Sequence, residues 1–189
     1  ATASDLRTPA ESSQSIASQR LTERVLNGQS HAAIGILPVD SDLTNACILR
    51  EKLFVALPAD HRLAQSRVVR AAQLARDPVI WMFGAQDSIG SAHFIRLFQQ
   101  AGYVPQINRE GQSVAEAFGL VREGFGVAFV KTSELQLNPE GIVLRPFDEP
   151  ELVAETGPVY LPEHRWEYLE EFVSLVSSSL RCGEPEHPA

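Results

Sequence analysis

The sequence predicts an α/β protein of two lobes, in which each lobe is a wound, mainly parallel sheet flanked by helices. Three observations predict it. Short apolar runs alternate with amphipathic helical segments through the middle of the 189-residue chain, a pattern typical of βαβ units. Glycines follow the helical segments, where a left-handed residue is favoured. The early strands and a terminal amphipathic segment have apolar faces that can be buried by packing against each other, which predicts the second lobe.

The first third of the chain predicts one helix and two strands. Its first fifteen or so residues are small and polar and begin without the strand that usually opens an α/β domain, so we expect a truncated start. A helix is predicted over Ser18–Leu26, because Ser18 can accept hydrogen bonds from the first amides and Gly28 can end the helix. Strands are predicted over Ala32–Leu37 and Leu49–Pro58, with a polar loop between them.

The middle of the chain predicts three strands joined by two helices. Apolar residues recur on one face of each helix, and Gly102 and Gly124 follow them. Ser113 and Glu116 predict a capping box at the start of the second helix. Because the connections are short, we expect right-handed crossovers and a parallel sheet. The predicted strands cover residues 78–83, 105–109 and 126–130, and the first helix covers residues 91–101.

The last third predicts two strands, a terminal helix and a loose tail. If the terminal helix packs on the early strands, the first lobe is discontinuous and two extended crossings between the lobes form a hinge. The strands are predicted at residues 142–146 and 152–160, the helix at residues 164–180, and the hinge at residues 53–58 and 152–158. The predicted division is lobe I at residues 1–57 and 158–182, lobe II at residues 58–157, and a flexible tail at residues 183–189.

Charge and composition narrow the classes of partner. The formal net charge is -8 and the isoelectric point is about 5.1, so the summed field repels phosphates. We therefore do not expect this chain alone to bind duplex DNA. We expect its partner to be a small molecule or a protein. No run of 18 apolar residues and no export signal is present, so we expect neither a membrane segment nor secretion.

The sequence offers little for catalysis or metal binding. Cys47 and Cys182 are too far apart in sequence to predict a zinc site or a disulfide framework, which favours a reducing cytoplasm. The five histidines lack metal-ligand spacing, and the G-x-S-x-G, H-E-x-x-H and P-loop motifs are absent. We expect no catalytic residue, no metal and no cofactor, and a chain that is not an enzyme.

Four segments, in order, resemble a known family. Their sequences are LTERVLNGQSHAAIGI (21–36), LREKLFVALPADHRLA (49–64), FQQAGYVPQI (98–107) and FGLVREGFGVAFV (118–130). They resemble the effector-binding domain of LysR-type transcriptional regulators, with about the family's spacing from residue 18 to residue 180. The resemblance implies a type II periplasmic-binding-protein-like fold, a small-molecule effector between the lobes, and a homodimer or tetramer. It also implies that DNA is contacted only through a separate N-terminal domain.

The chain departs from the family pattern at several places. Arg62 and Lys131 stand where the family usually has proline, and the aspartate common after Gly28 is absent. The winged helix-turn-helix, the linker helix and the first strand of the effector domain have no counterpart. We therefore expect this chain to be either a fragment of a longer regulator or a sequence from which disordered stretches were dropped.

The loop GAQDSIGS at residues 84–91 is the first candidate binding site. It follows a predicted parallel strand and opens a helix, so the free amides at Ser88–Ser91 and the helix dipole can accept a carboxylate. The alternative is that Ser88 or Ser91 is only an N-cap. The resemblance implies an effector contact, because Ile89, Gly90 and Ser91 match effector-contacting positions in members that respond to aromatic acids.

Three further residues complete the predicted effector site. Ser18 begins a helix where, by the resemblance, hydroxyl residues contact effector, and plain capping is the alternative. Lys52 lies on the hinge strand where some relatives carry a basic residue, and the alternative is a solvated charge beside Glu51. Phe129 is included as a contact, although an aromatic residue in a buried strand usually belongs to the core. Lys131 is either a flexible charge that reaches an anion or a surface residue.

Three functions remain open on these grounds. The first is the sensing domain of a LysR-type regulator, which closes on a small anionic metabolite, most simply a carboxylate, and transmits the closure to a DNA-binding domain. The second is a free-standing solute-binding protein of a transporter, with the same fold. The third is an enzyme on this scaffold, which turnover of a bound ligand would reveal.

Overall fold

A computed structural model of the chain describes residues 18–39, 41–86, 88–137, 139–162, 171 and 174–175. The terminal helix predicted at residues 164–180 and the predicted tail therefore lie outside the described residues, apart from single positions. The described elements are α1 (Ser18–Leu26), β1 (Ala32–Leu37), β2 (Thr44–Asn45), β3 (Leu49–Pro58), β4 (Pro78–Trp81), α2 (Ile89–Gln100), β5 (Gln106–Glu110), α3 (Val114–Arg122), β6 (Val127–Lys131), β7 (Ile142–Pro146) and β8 (Val153–Tyr160). Two 3₁₀ helices cover Ala71–Leu74 and Thr132–Leu137.

The strands form one hydrogen-bonded path in the order β1-β8-β3-β6-β4-β5, with β2 on β8 and β7 on β3. The long strand β3 changes partners along this path. Residues 49–52 pair with β8, and residues 53–58 pair with β6 and β7. We call β1, β2, β8 and residues 49–52 the first sheet, and β4 to β7 with residues 53–58 the second sheet. The exact lobe limits predicted at residues 57 and 158 stay a prediction.

The direction of pairing differs between the two sheets. In the second sheet β4 is parallel to both β5 and β6, as predicted for the middle of the chain. Strand β3 pairs antiparallel with β6 and β7, so this sheet is mixed where a mainly parallel one was expected. In the first sheet β1, β2 and β3 all pair antiparallel with β8, where mainly parallel pairing was expected. For β3 and β8 the reason is that these two strands connect the two sheets. Strand β3 leaves the first sheet and β8 returns to it, so the two run in opposite directions when they pair.

The second sheet is buried on both faces. Val79 and Phe129 lie in one apolar cluster with Phe94 and Phe98 of α2. Ile80, from the opposite face of β4, lies in a second cluster with Ala117, Phe118 and Val121 of α3. A strand buried on both faces needs no polar alternation, which explains the continuous apolar runs in the sequence.

Serine side chains begin both helices of the second sheet. The Ser88 hydroxyl accepts a hydrogen bond from the Ser91 amide (3.2 Å), so α2 begins at Ile89, before the predicted start. The Ser113 hydroxyl likewise accepts from the Glu116 amide (3.2 Å). The predicted capping box is incomplete, because the Glu116 carboxylate accepts from the amide of the preceding Gln112 (2.7 Å) instead of that of Ser113.

Candidate functional site

A cavity of about 300 Å³ lies between the first and the second sheet. Both sheets contribute to its wall. From the first-sheet side it is lined by Leu21, Ile34, Gly35, Ile36 and Thr156, and from the second-sheet side by residues 82–85 and 110–114, Phe129, Lys131 and Glu134. Residues 82–85 and 110–114 follow the carboxyl ends of the parallel strands β4 and β5, where ligands bind in open α/β sheets.

The amino end of α3 opens at this cavity. Ser113, which caps the helix, and Val114, its first residue, both line the wall. The first amides of a helix and its dipole favour a negative charge, and α3 has nine residues to supply that dipole. This wall of the cavity therefore suits an anionic group.

Lys131 and Glu134 form an ion pair in the cavity wall. The Lys131 ammonium lies 3.4 Å from one carboxylate oxygen of Glu134, and the Lys131 amide donates to the other at 2.8 Å. The two side chains are only 21% and 19% exposed, so solvent screens the pair weakly. Lys131 was expected either to reach an anion or to lie on the surface, and the structure places it in the cavity wall.

The segment that carries this pair is hydrogen-bonded to strand β3. The buried Glu51 carboxylate accepts a hydrogen bond from the Ser133 amide (2.8 Å). The Thr132 hydroxyl donates to the Lys52 carbonyl oxygen (3.2 Å). Two hydrogen bonds therefore connect the segment that carries Lys131 and Glu134 to residues 51 and 52, where β3 leaves the first sheet.

Two other polar groups in the wall are poorly satisfied. The Glu110 carboxylate accepts one long hydrogen bond from the Gln86 amide (3.3 Å). The Thr156 hydroxyl is buried and, among the described residues, has no hydrogen-bond partner. Buried polar groups are normally paired, so an unpaired one in a cavity wall marks a position where a ligand can gain a bond.

Of the site residues predicted from the sequence, Phe129 lines the cavity. It is 2% exposed and packs against Phe98 and Phe147, so it belongs to the core as well. Lys52 is exposed and lies outside the lining residues. Ser18 is the first residue of α1, and its side chain is not among those that the structure describes.

The predicted residues at the start of α2 also lie outside the cavity lining. The Ser91 hydroxyl is fully buried and accepts a hydrogen bond from the Trp81 indole N–H (2.9 Å), while Ser88 serves as the N-cap. Ile89 is 47% exposed. A Cβ on Gly90 would lie 3.6 Å from the carbonyl oxygens of Phe83 and Pro38, so this turn packs against the loop after β1. The role of these residues as effector contacts stays a prediction.

Glu110 and Thr156 line the cavity but are not among the site residues predicted from the sequence. Glu110 ends β5, so it has the same position after a parallel strand as the loop 84–91, and that signal was available. Thr156 lies within the predicted crossing 152–158, where nothing in the sequence distinguishes it. Among the described residues, no group of three His, Cys, Asp or Glu side chains is placed to hold a metal. None of the described helices has the length and apolar composition that crossing a membrane requires.

The family model described as LysR substrate binding domain matches residues 12–181. The chain belongs to this family. It is 26% identical over 169 residues to the HTH-type transcriptional regulator AlsR of Bacillus subtilis (85% of this chain, 53% of AlsR). It is 30% identical over 136 residues to the HTH-type transcriptional regulator ShiR of Corynebacterium glutamicum (69% of this chain, 46% of ShiR). The chain thus spans about half the length of the curated relatives it matches.

Solved LysR-family structures share the fold. The effector-binding domain of a BenM variant superposes with a TM-score of 0.73 at 21% identity, covering 92% of this chain and 83% of that one. The BenM effector-binding domain with its effector benzoate superposes with a TM-score of 0.69 at 22% identity, and the match covers 92% of this chain and 82% of that one. These findings confirm the predicted LysR resemblance and the two-lobed, periplasmic-binding-protein-like α/β fold. The family is one of transcriptional regulators and not of enzymes, as predicted.

Proposed function

We propose that this LysR substrate-binding domain is the sensing part of a cytoplasmic bacterial transcriptional regulator and that it binds a small carboxylate-containing metabolite between its two sheets. The observation that carries the proposal is the cavity itself. Both sheets line it, and it holds a lysine and the amino end of α3. Lys131 and the α3 amides would hold the carboxylate.

Effector binding would be transmitted through the hinge. A ligand that bonds to Lys131 shifts a segment tied to β3 by Glu51 and Thr132, and this favours one relative placement of the two sheets. In a homodimer or tetramer of the full-length regulator, that change would reorient DNA-binding domains carried elsewhere in the protein.

The test compares the two lysines of the chain, Lys52 and Lys131. Binding of benzoate, aliphatic monoacids and dicarboxylates is measured by calorimetry on the parent, on Lys131→Met and on Lys52→Met. We expect Lys131→Met to weaken carboxylate binding by about 10- to 100-fold, because a charge-assisted bond contributes roughly 1.5 to 3 kcal/mol. Lys52→Met is the matched control, since Lys52 is exposed and outside the cavity lining.

The outcomes separate the two assignments of the site. If Lys52→Met weakens binding and Lys131→Met does not, the contacts predicted from the sequence are the correct ones and the cavity is not the site. If no carboxylate binds to the parent, amino acids included, the proposed function is wrong.

A further inference from the structure

The charged side chains that line the cavity do not balance. Among the described lining residues they are Glu110, Lys131 and Glu134, which gives two carboxylates for one ammonium. A ligand that brings only negative charge adds to an existing excess of negative charge. Like charges repel, so among carboxylates this wall favours one that also carries a positive charge.

The positive charge of Lys131 is also already in use. Its ammonium lies beside the Glu134 carboxylate, and both side chains are mostly buried. Glu134 is further held by the Lys131 amide, so it is fixed in place rather than free to swing away. An incoming carboxylate therefore shares Lys131 with Glu134, and the amino end of α3 is the second source of positive potential.

Glu110 is the unbalanced charge. It has no cation within ion-pair distance among the described residues, and its one hydrogen bond, from the Gln86 amide, is long at 3.3 Å. Its backbone is held by the neighbouring strand β4. It pairs with Trp81 in the parallel ladder of β4 and β5, and the amide of the next residue, Gly111, donates to the Trp81 carbonyl oxygen (2.9 Å). A carboxylate in this position can accept charge-assisted hydrogen bonds from a cationic group of a ligand.

We propose that the effector is a zwitterion with the chemistry of an amino acid, in which a protonated amine binds Glu110 and a carboxylate binds Lys131 and the amino end of α3. This inference rests on the proposed function and adds the amine. The ligand brings one positive and one negative charge, so it supplies the cation that Glu110 lacks without increasing the net negative charge. The cavity of about 300 Å³ is at the small end of ligand pockets, which suits a molecule of this size.

The experiment uses matched pairs of ligands that differ only in the amine. Calorimetry on the whole chain measures the standard amino acids and, for each of them, the acid without the amine, such as 3-phenylpropionate for phenylalanine and 4-methylpentanoate for leucine. We expect the amino acid to bind at least about tenfold more tightly than its partner acid. In Glu110→Gln the amino acid should lose about tenfold or more, while the partner acid should bind as well as before or better.

The control is Glu140→Gln, which removes one carboxylate from an exposed loop outside the cavity lining. It should leave both affinities unchanged, so that a general effect of net charge is separated from an effect at Glu110. Partner acids that bind as tightly as their amino acids, in both the parent and Glu110→Gln, overturn the inference and leave the proposed function standing. Absence of binding by either class overturns both.

Discussion

Two buried hydroxyl groups of this protein are in opposite situations. The Ser91 hydroxyl accepts a hydrogen bond from the Trp81 indole N–H. The Thr156 hydroxyl, in the cavity wall, has no partner among the described residues. Removing the first leaves a buried donor unpaired, whereas removing the second relieves an unpaired group, so the two substitutions have opposite effects on stability.

Ser91→Ala is expected to lower the free energy of unfolding by about 1 to 3 kcal/mol, because the Trp81 N–H loses its acceptor in the core. Urea unfolding measures this. Ser133→Ala is the control, since the hydrogen bond from Ser133 to Glu51 comes from the backbone amide and is kept in the variant, which should stay within about 0.5 kcal/mol of the parent. A Ser91→Ala variant as stable as the parent but weaker in effector binding would instead support the ligand role predicted from the sequence.

Thr156→Val is expected to raise the free energy of unfolding by about 1 kcal/mol and to weaken effector binding. The substitution keeps the β-branched shape in β8 and removes only the unpaired hydroxyl. Urea unfolding without ligand and calorimetry with ligand measure the two effects. Lower stability together with unchanged binding would show that the hydroxyl is satisfied in solution and faces no ligand.

At the scale of an element, α2 carries a histidine that makes stability depend on pH. Burial lowers the pKa of His93 below its ordinary value of 6.5, and the charge of Arg96, whose guanidinium lies 3.1 Å from the ring, lowers it further. Below pH 6.5 the unfolded chain therefore binds more protons than the folded one, and stability falls as the pH falls through that range.

His93→Gln should remove this part of the pH dependence. Urea unfolding from pH 7.5 to pH 5 is measured on the parent and on the variant, and the loss of stability below about pH 6.5 should be smaller in the variant. Parallel curves for the two proteins would contradict the assignment to His93.

Strand β8 contains a glycine that another segment approaches closely. A Cβ on Gly157 would collide with the carbonyl oxygen of Ala46, in the loop before β3. Gly157→Ala should therefore push this loop away from β8 and cost about 1 to 3 kcal/mol of stability. Gly119→Ala in α3 is the contrast, because among the described residues no atom outside its own helix backbone lies within 4 Å of the added methyl group, and it should stabilise by about 0.5 to 1 kcal/mol. Thermal unfolding compares them, and equal shifts would refute the close approach.

The elements with strong local signals were predicted from the sequence, and those without were not. The limits of α1, β1, β3 and β7 agree with the prediction, because each has an apolar pattern bounded by glycine, proline or polar residues. The two-residue strand β2 and the 3₁₀ helices are too short to show a period. The antiparallel first sheet was missed because its pairing joins residues about a hundred positions apart, and local patterns carry no information on strand direction.

The site was predicted only in part for a similar reason. Both α2 and α3 follow a parallel strand and begin with a serine cap, so the sequence provides two equivalent candidates for an anion site. The resemblance favoured α2. Which helix opens onto the cavity depends on how the first sheet packs over the second, and that is a property of the whole molecule.

At the scale of the whole chain, the formal net charge of -8 disfavours binding to duplex DNA. Binding of duplex DNA depends on cationic side chains that displace counterions, and an acidic domain lacks them in sufficient number. We expect no shift of duplex DNA by this chain in a gel at low salt, with a basic DNA-binding protein of similar size as the positive control. A sequence-specific shift would overturn the assignment as a sensing domain.

The position of β8 has a consequence for synthesis on the ribosome. It lies between β1 and β3, yet Lys52 pairs with Val153, about a hundred residues later in translation. At roughly 5–20 residues per second, β1 and residues 49–52 wait on the order of 5 to 20 seconds for their partner, while every strand of the second sheet has already emerged. We expect the nascent chain to pass through a state with one finished sheet and one unpaired edge. Slow codons between positions 60 and 150 would prolong that state and favour aggregation, because an unpaired strand edge can recruit other chains.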